Sequence, residues 1–292
     1  MLARQSFGGD WTEEKLNRVR KYLSAYTTIM KDYPYFRTAY IDAFAGTGYR
    51  ELKDGDSVEP LFPELLEQET QRFARGSAQI ALEVQPRFTK YIFIEKDPTR
   101  YAELERLRAD YPELADDILP ILADCNSYLQ DLCKNRNWER NRAVLFLDPF
   151  GMQVEWRTIE AVAKTGAIDL WLLFPLGVAV SRILRRDGQI DELLSVRLDN
   201  LFGTTDWYAQ FYESETQATL FGQEERLRKT ADFNKIKQFF ISRLKTTFPS
   251  VAENPLALRN SKNVPLYLLC FAAGNPKGGK TAVKIAQDIL GD

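Results

Sequence analysis

Asp42, Glu95, Asp124 and Asp148 each close a run of apolar, strand-forming residues, and these four acids are where the chain could do chemistry. The runs are Ala39–Ile41, Tyr91–Ile94, Ile118–Ala123 and Ala143–Leu147. Core strands do not need acids at their ends, whereas a row of carboxylates along the carboxyl edge of an α/β sheet makes a ligand site. Glu95 is placed to accept hydrogen bonds from both hydroxyls of a ribose, and Asp124 to meet an adenine amine. After Asp42 comes a turn with Gly46 and Gly48 flanking Thr47. Glycines there let the backbone approach a ligand more closely than a side chain would allow. Singly, each acid reads equally as a helix cap or loop turn, and Gly-x-Gly as a bare turn. The joint placement points to a nucleoside-bearing ligand held by Asp42, Gly46, Gly48, Glu95 and Asp124.

The chain has no histidine. That removes Ser-His-Asp and Cys-His nucleophile systems and His-Glu-x-x-His zinc sites, leaving carboxylates, lysine, tyrosine, backbone groups or a cofactor. Cys125, Cys133 and Cys270 show no Cys-x-x-Cys spacing and read as small core residues in a reducing compartment. With 39 basic and 41 acidic residues the whole surface is not that of a nucleic-acid binder, although a local basic patch fits. No run of 18 apolar residues and no signal-type apolar N-terminus exist in the sequence, so the expectation is a cytoplasmic protein without a membrane partner.

The elements that must position these acids alternate. A helix opens at Asp10, with Asp10 and Glu13 as a capping box, and carries Leu16, Val19, Leu23, Tyr26 and Met30 on one face. Residues 49–75 include Pro60 and Pro63, with a short helix near Leu65–Phe73, and read as a lid beside the pocket, an irregular surface loop being the alternative. Asp97-Pro98 starts a helix reaching Asp110; Asn126–Lys134 and Trp156–Lys164 are further helices, and Ile168–Phe174 is a fifth apolar strand. Five strands alternating with helices predict an α/β, doubly wound, mostly parallel sheet over residues 10–175. Residues 176–250 read as a helical insertion on the carboxyl edge. There Arg182, Arg185 and Arg186, near Trp207, Tyr208, Phe211 and Tyr212, suit nucleic-acid backbone charge and base stacking; a solvated helix face is the bland alternative. In residues 251–292, Pro255–Asn260 and Pro265–Ala273 form an antiparallel hairpin before a closing helix, Lys277–Leu290.

These residues resemble known proteins. Asp42 to Gly48, Glu95, Asp124 and Asp148-Pro149-Phe150 are similar to the motifs of class I S-adenosylmethionine-dependent methyltransferases, Rossmann-like proteins with a reversed last strand. More closely, the runs Tyr40–Gly48, Phe146–Met152 and Pro265–Pro276 resemble the three-Cys-motif partner protein family, TcmP, over nearly the whole chain. The resemblance implies S-adenosylmethionine as cofactor, held around Asp42, Phe44, Gly46, Thr47, Gly48, Glu95, Asp124 and Cys125. It also implies a cysteine-motif partner protein of metal or radical chemistry. Asp148-Pro149-Phe150 is similar to the Asp-Pro-Pro-Tyr/Phe signature of methyltransferases acting on amino groups of nucleic acid, with one proline in place of two. By that likeness Asp148 and the Pro149 carbonyl accept hydrogen bonds from a target amine, and Phe150 stacks on the base. A stable turn is the alternative.

Two other readings stay open. One is a non-catalytic nucleotide-binding or scaffold protein working with the partner. The other rests on Gly274–Thr281, which fits Gly-x-x-x-x-Gly-Lys-Thr after an apolar strand. A phosphate-binding loop so placed needs a permuted P-loop NTPase, with Asp148 holding magnesium.

Overall fold

The computed structural model describes residues 10–43, 76–149, 151–219 and 222–291. The turn at Phe44, Gly46, Thr47 and Gly48, the expected lid over 49–75, and Phe150 lie outside the described residues.

The chain is α/β, with a mixed, mostly parallel sheet compatible with a Rossmann-like fold. Its strands are β1 (Arg37–Ala43), β2 (Lys90–Glu95), β3 (Ile118–Leu122), β4 (Asn141–Leu147), β5 (Ile168–Phe174), β8 (Ser250–Val251), β9 (Leu256–Arg259) and β10 (Pro265–Ala273). A separate ribbon pairs β6 (Tyr212–Thr219) with β7 (Gly222–Lys229). The order is β3-β2-β1-β4-β5-β10-β8, with β9 also on β10. Strands β1 to β5 run parallel, while β10 lies antiparallel to β5, β8 and β9. The apolar runs expected as strands are all strands, and the terminal hairpin is present.

Alternation along the strands divides the core into two. Tyr40, Phe93, Phe146, Trp171 and Phe271 face α1 (Asp10–Met30), α2 (76–83), α3 (Pro98–Asp110) and α10 (Gly279–Gly291). Ile41, Ile94, Leu145, Leu172 and Cys270 face α4 (Cys125–Asn135), α5 (Trp156–Lys164) and α9 (Phe233–Thr247). Both faces are covered, which is why the strands read as unbroken apolar runs. Asp97 and Asp124 cap α3 and α4 by accepting backbone N–H groups, and Asp232 does so for α9.

The stretch expected as a helical insertion is only partly helical. A helical turn (Leu176–Val180), α6 (Ser181–Ile183), α7 (Glu192–Phe202), α8 (Trp207–Phe211) and α9 are there, but residues 212–229 form the β6–β7 ribbon. Apart from the buried Tyr212 and the exposed Leu227 its described residues are polar and mostly exposed, so no period-two apolar signal marks it; the two backbones satisfy each other. The helices join the main core, Phe240 of α9 stacking on Phe174 of β5 with centroids 4.0 Å apart.

Candidate functional site

The parallel strands end together, and their register sets the acids in a row. Asp42 pairs in level with Phe93 of β2 and Phe146 of β4, so Glu95 and Asp148 stand two positions beyond it on either side. Asp42 shares its side of the sheet with Tyr40, and there it meets α2: Ser77 Oγ donates to Asp42 Oδ2 across 2.6 Å, and the Tyr40 hydroxyl donates across 3.1 Å. Burial pushes the Asp42 carboxyl up to about 7. The two hydroxyls and the Lys15 ammonium work against that rise, and the Asp148 charge adds to it.

Glu95 is 1% exposed. Its Oε1 accepts from the backbone N–H groups of Lys96 and Asp97, both at 2.7 Å. Its Oε2 is buried and has no hydrogen-bond partner among the described residues. Burial raises the Glu95 carboxyl despite the donated amides. A buried acceptor without a donor costs about 1–3 kcal/mol, so such an atom signals a missing hydrogen-bond donor.

Asp124 is exposed and holds the start of α4, its Oδ1 accepting from Ser127 N–H at 2.9 Å. The helix-cap alternative is therefore realised. Cys125, next to it, is buried, and its thiol is pushed well up, first by burial and then by Asp124, Asp42 and Glu95. That shared influence sets Asp42, Glu95, Asp124 and Cys125 near one another, and burial with these acids favours the neutral thiol of Cys125.

Asp148 ends β4 beside these groups and is paired: Lys15 Nζ, from α1, donates to its Oδ2 at 2.8 Å. Lys15 is 1% exposed. Pro149 is buried next to it. Sequence reasoning missed Lys15, Tyr40 and Ser77. A signal for Lys15 existed, because Lys15, Val19, Tyr22 and Tyr26 follow steps of four, three and four along one helical face. A lysine on a buried stripe demands an acid.

The insertion's arginines and aromatics separate. Arg182, Arg185 and Arg186 are exposed, but Trp207, Phe211 and Tyr212 are buried and cannot serve as a stacking platform for bases. The Tyr212 hydroxyl donates to Arg185 O at 2.9 Å, and Trp207 Nε1 donates to Asp199 Oδ1 of α7 at 2.7 Å. Large aromatics in an amphipathic helix bury their area first, which composition alone does not reveal.

Gly274–Thr281 lies at the opposite end of the strands from the acids. Because β10 is reversed, the loop after Ala273 emerges where the parallel strands begin, and Gly274 N–H donates to Ile168 O. Asp148 sits at the opposite edge, so the magnesium role that the permuted NTPase needs from it is overturned by topology. Among the described residues, no cluster of acids and cysteines could hold a metal ion, and no helix is long and apolar enough to cross a membrane.

No protein-family model and no curated protein matches the chain.

Proposed function

We propose that this chain binds S-adenosylmethionine at the carboxyl edge of the sheet and acts as a class I-type methyltransferase on an amino group of a nucleic acid or nucleobase. The observation that carries the reading is Glu95 Oε2, a buried acceptor without a partner at the end of the second parallel strand. A ribose hydroxyl is the kind of donor that atom lacks, so the residues fit the cofactor. Asp124 and the wall formed by Cys125 would border the adenine, and Asp42 with Gly46 and Gly48 the amino-acid end. The reversed β10 inside the sheet, which the class I resemblance implies, adds support.

The bound cofactor would supply an electrophilic methyl group on a sulfonium. What the chain must do is hold an amine in line with it, and positioning of that kind needs no histidine. In this reading Asp148 and the Pro149 carbonyl accept the N–H groups of the amine, aiming its lone pair, and Phe150 stacks on the ring. The exposed Arg182, Arg185 and Arg186 would meet nucleic-acid phosphates.

A second reading has its own observation. Asp148 Oδ2 is already engaged by Lys15, as expected if the acid is structural and the chain is a nucleotide-binding scaffold for a metal- or radical-enzyme partner. Calorimetry with S-adenosylhomocysteine and with ATP tests the cofactor. Micromolar binding of the first and none of the second is expected, and wild-type affinity only in the millimolar range for S-adenosylhomocysteine would sink the reading. Labelled methyl transfer into DNA, RNA and protein pools then separates enzyme from scaffold.

A further inference from the structure

The Lys15–Asp148 pair joins α1 to the end of β4 across 133 residues of sequence. Both side chains are nearly closed to solvent, at 2% and 11% exposure. Buried ion pairs stabilise little in net terms, because desolvation offsets the attraction, so stability alone is a weak reason for one here. Its geometry is specific. Lys15 takes Oδ2, while Asp148 Oδ1 receives no hydrogen bond among the described residues. The neighbouring acid Asp42 is held differently, by the hydroxyls of Ser77 and Tyr40. The carboxyl edge thus presents one carboxylate clamped by a cation through a single oxygen, beside Glu95 with its own open oxygen.

We infer that Lys15 is a positioning residue for the acceptor half of this site: by holding Asp148 Oδ2 it fixes the carboxylate plane and leaves Oδ1 to accept an N–H from an amine-bearing ring. The inference rests on the methyltransferase reading above. It assigns Lys15 no contact with the cofactor and no proton transfer. A carboxylate free to rotate would lose the orientation of the amine, whereas one fixed by a cation keeps it.

The test uses S-adenosylhomocysteine and a two-part probe in which adenine is attached through its N6 amine in place of the transferred methyl. Calorimetry gives each affinity, and their ratio reports the acceptor half alone. The wild-type chain is expected to bind the probe at least about tenfold more tightly, the scale of one charge-assisted hydrogen bond. In Lys15→Met the ratio falls towards one while S-adenosylhomocysteine affinity stays within about threefold, and Lys15→Arg recovers most of the gain. Because Lys15 acts through Asp148, Lys15→Met in an Asp148→Asn background lowers the ratio no further. A ratio unchanged by Lys15→Met, a double variant worse than Asp148→Asn, or equal loss of both ligands overturns the inference. Should Lys15→Met fail to fold, Lys15→Leu likewise removes the donor, and a wild-type ratio there overturns it equally. A wild-type chain that binds S-adenosylhomocysteine but gains nothing from the adenine also overturns it. If S-adenosylhomocysteine itself does not bind, the cofactor reading has failed first.

Discussion

Ser77 Oγ donates to Asp42 Oδ2 at 2.6 Å, tying α2 to the last residues of β1. Even with this bond and a second from Tyr40, burial carries the Asp42 carboxyl to about 7. A carboxyl raised in the folded state binds its proton more readily there than in the unfolded chain. Its contribution to stability is whole in acid, below the unfolded value near 4, and is lost as pH rises through about 7. Asp42→Asn removes that loss, which amounts to at most about 4 kcal/mol. Urea unfolding at pH 5 and pH 8 should show a smaller drop for the variant than for the wild type. An identical drop in both would dispose of the prediction.

A second buried acid obeys the same sign. Tyr22 of α1 donates to Asp169 Oδ2 of β5 at 2.8 Å, and burial lifts that carboxyl to about 6 against the help of Tyr22 and Arg142. Tyr22→Phe removes a donor from an acid that is ionised above this value. The cost should be about 1–3 kcal/mol at pH 8 and clearly less at pH 5, where Asp169 holds its proton. Equal costs at the two pH values would show that ring packing, rather than the hydroxyl, matters at this position.

Glu95 and Asp148 should separate in a binding experiment. Glu95→Ala is expected to weaken S-adenosylhomocysteine by roughly 1.5–3 kcal/mol, as loss of a hydrogen bond to a charged acceptor would. Asp148→Ala should leave that affinity within a few-fold of wild type and abolish methyl transfer. Comparable losses of affinity in the two variants would mean that the halves of the pocket are misassigned.

Gly203 closes α7 in a left-handed conformation, with φ of 65°. A Cβ there would lie 2.1 Å from the Trp156 ring, which Arg243 covers on the helix α9 side at 4.8 Å. Gly203→Ala combines backbone strain of about 1–2 kcal/mol with overpacking of about 1–3 kcal/mol. Thermal unfolding should therefore shift down by several degrees or more. A variant as stable as wild type would show that α5 and α7 can part without cost.

Much of the scaffold could be read from residues alone, because continuous apolar runs such as Ile168–Phe174 are what a doubly covered parallel strand requires. Asp97 announced its helix for the same kind of reason, since a cap residue acts locally, whereas Asp124, read towards an adenine, also caps one. What stayed hidden depended on distance along the chain or on orientation. Lys15 meets Asp148 only after the sheet has formed, and its neighbours in sequence carry no trace of that acid. The described residues of the β6–β7 ribbon are polar apart from Tyr212 and Leu227, so its pairing leaves no hydrophobic period to detect. Trp207 and Phe211 looked like a platform for bases because composition says nothing about which side of α8 faces inward. The acids at the strand ends were legible as a row, but which of their oxygens are occupied was not.

The reversed β10 also dictates the order in which the molecule can be completed. It is an interior strand of the sheet, yet it follows β1 to β9 in the chain. Until Pro265–Ala273 has been synthesised, the fully buried β5 presents an open edge, and neither β8 nor β9 has a partner in the main sheet. The first helix waits as well, since Arg18 Nη1 donates to Ile289 O, 271 residues onward. A nascent chain therefore carries an unpaired hydrophobic edge while roughly the last third of it is made, from Phe174 to Ala273, an invitation to aggregation that chaperones or rapid release must answer.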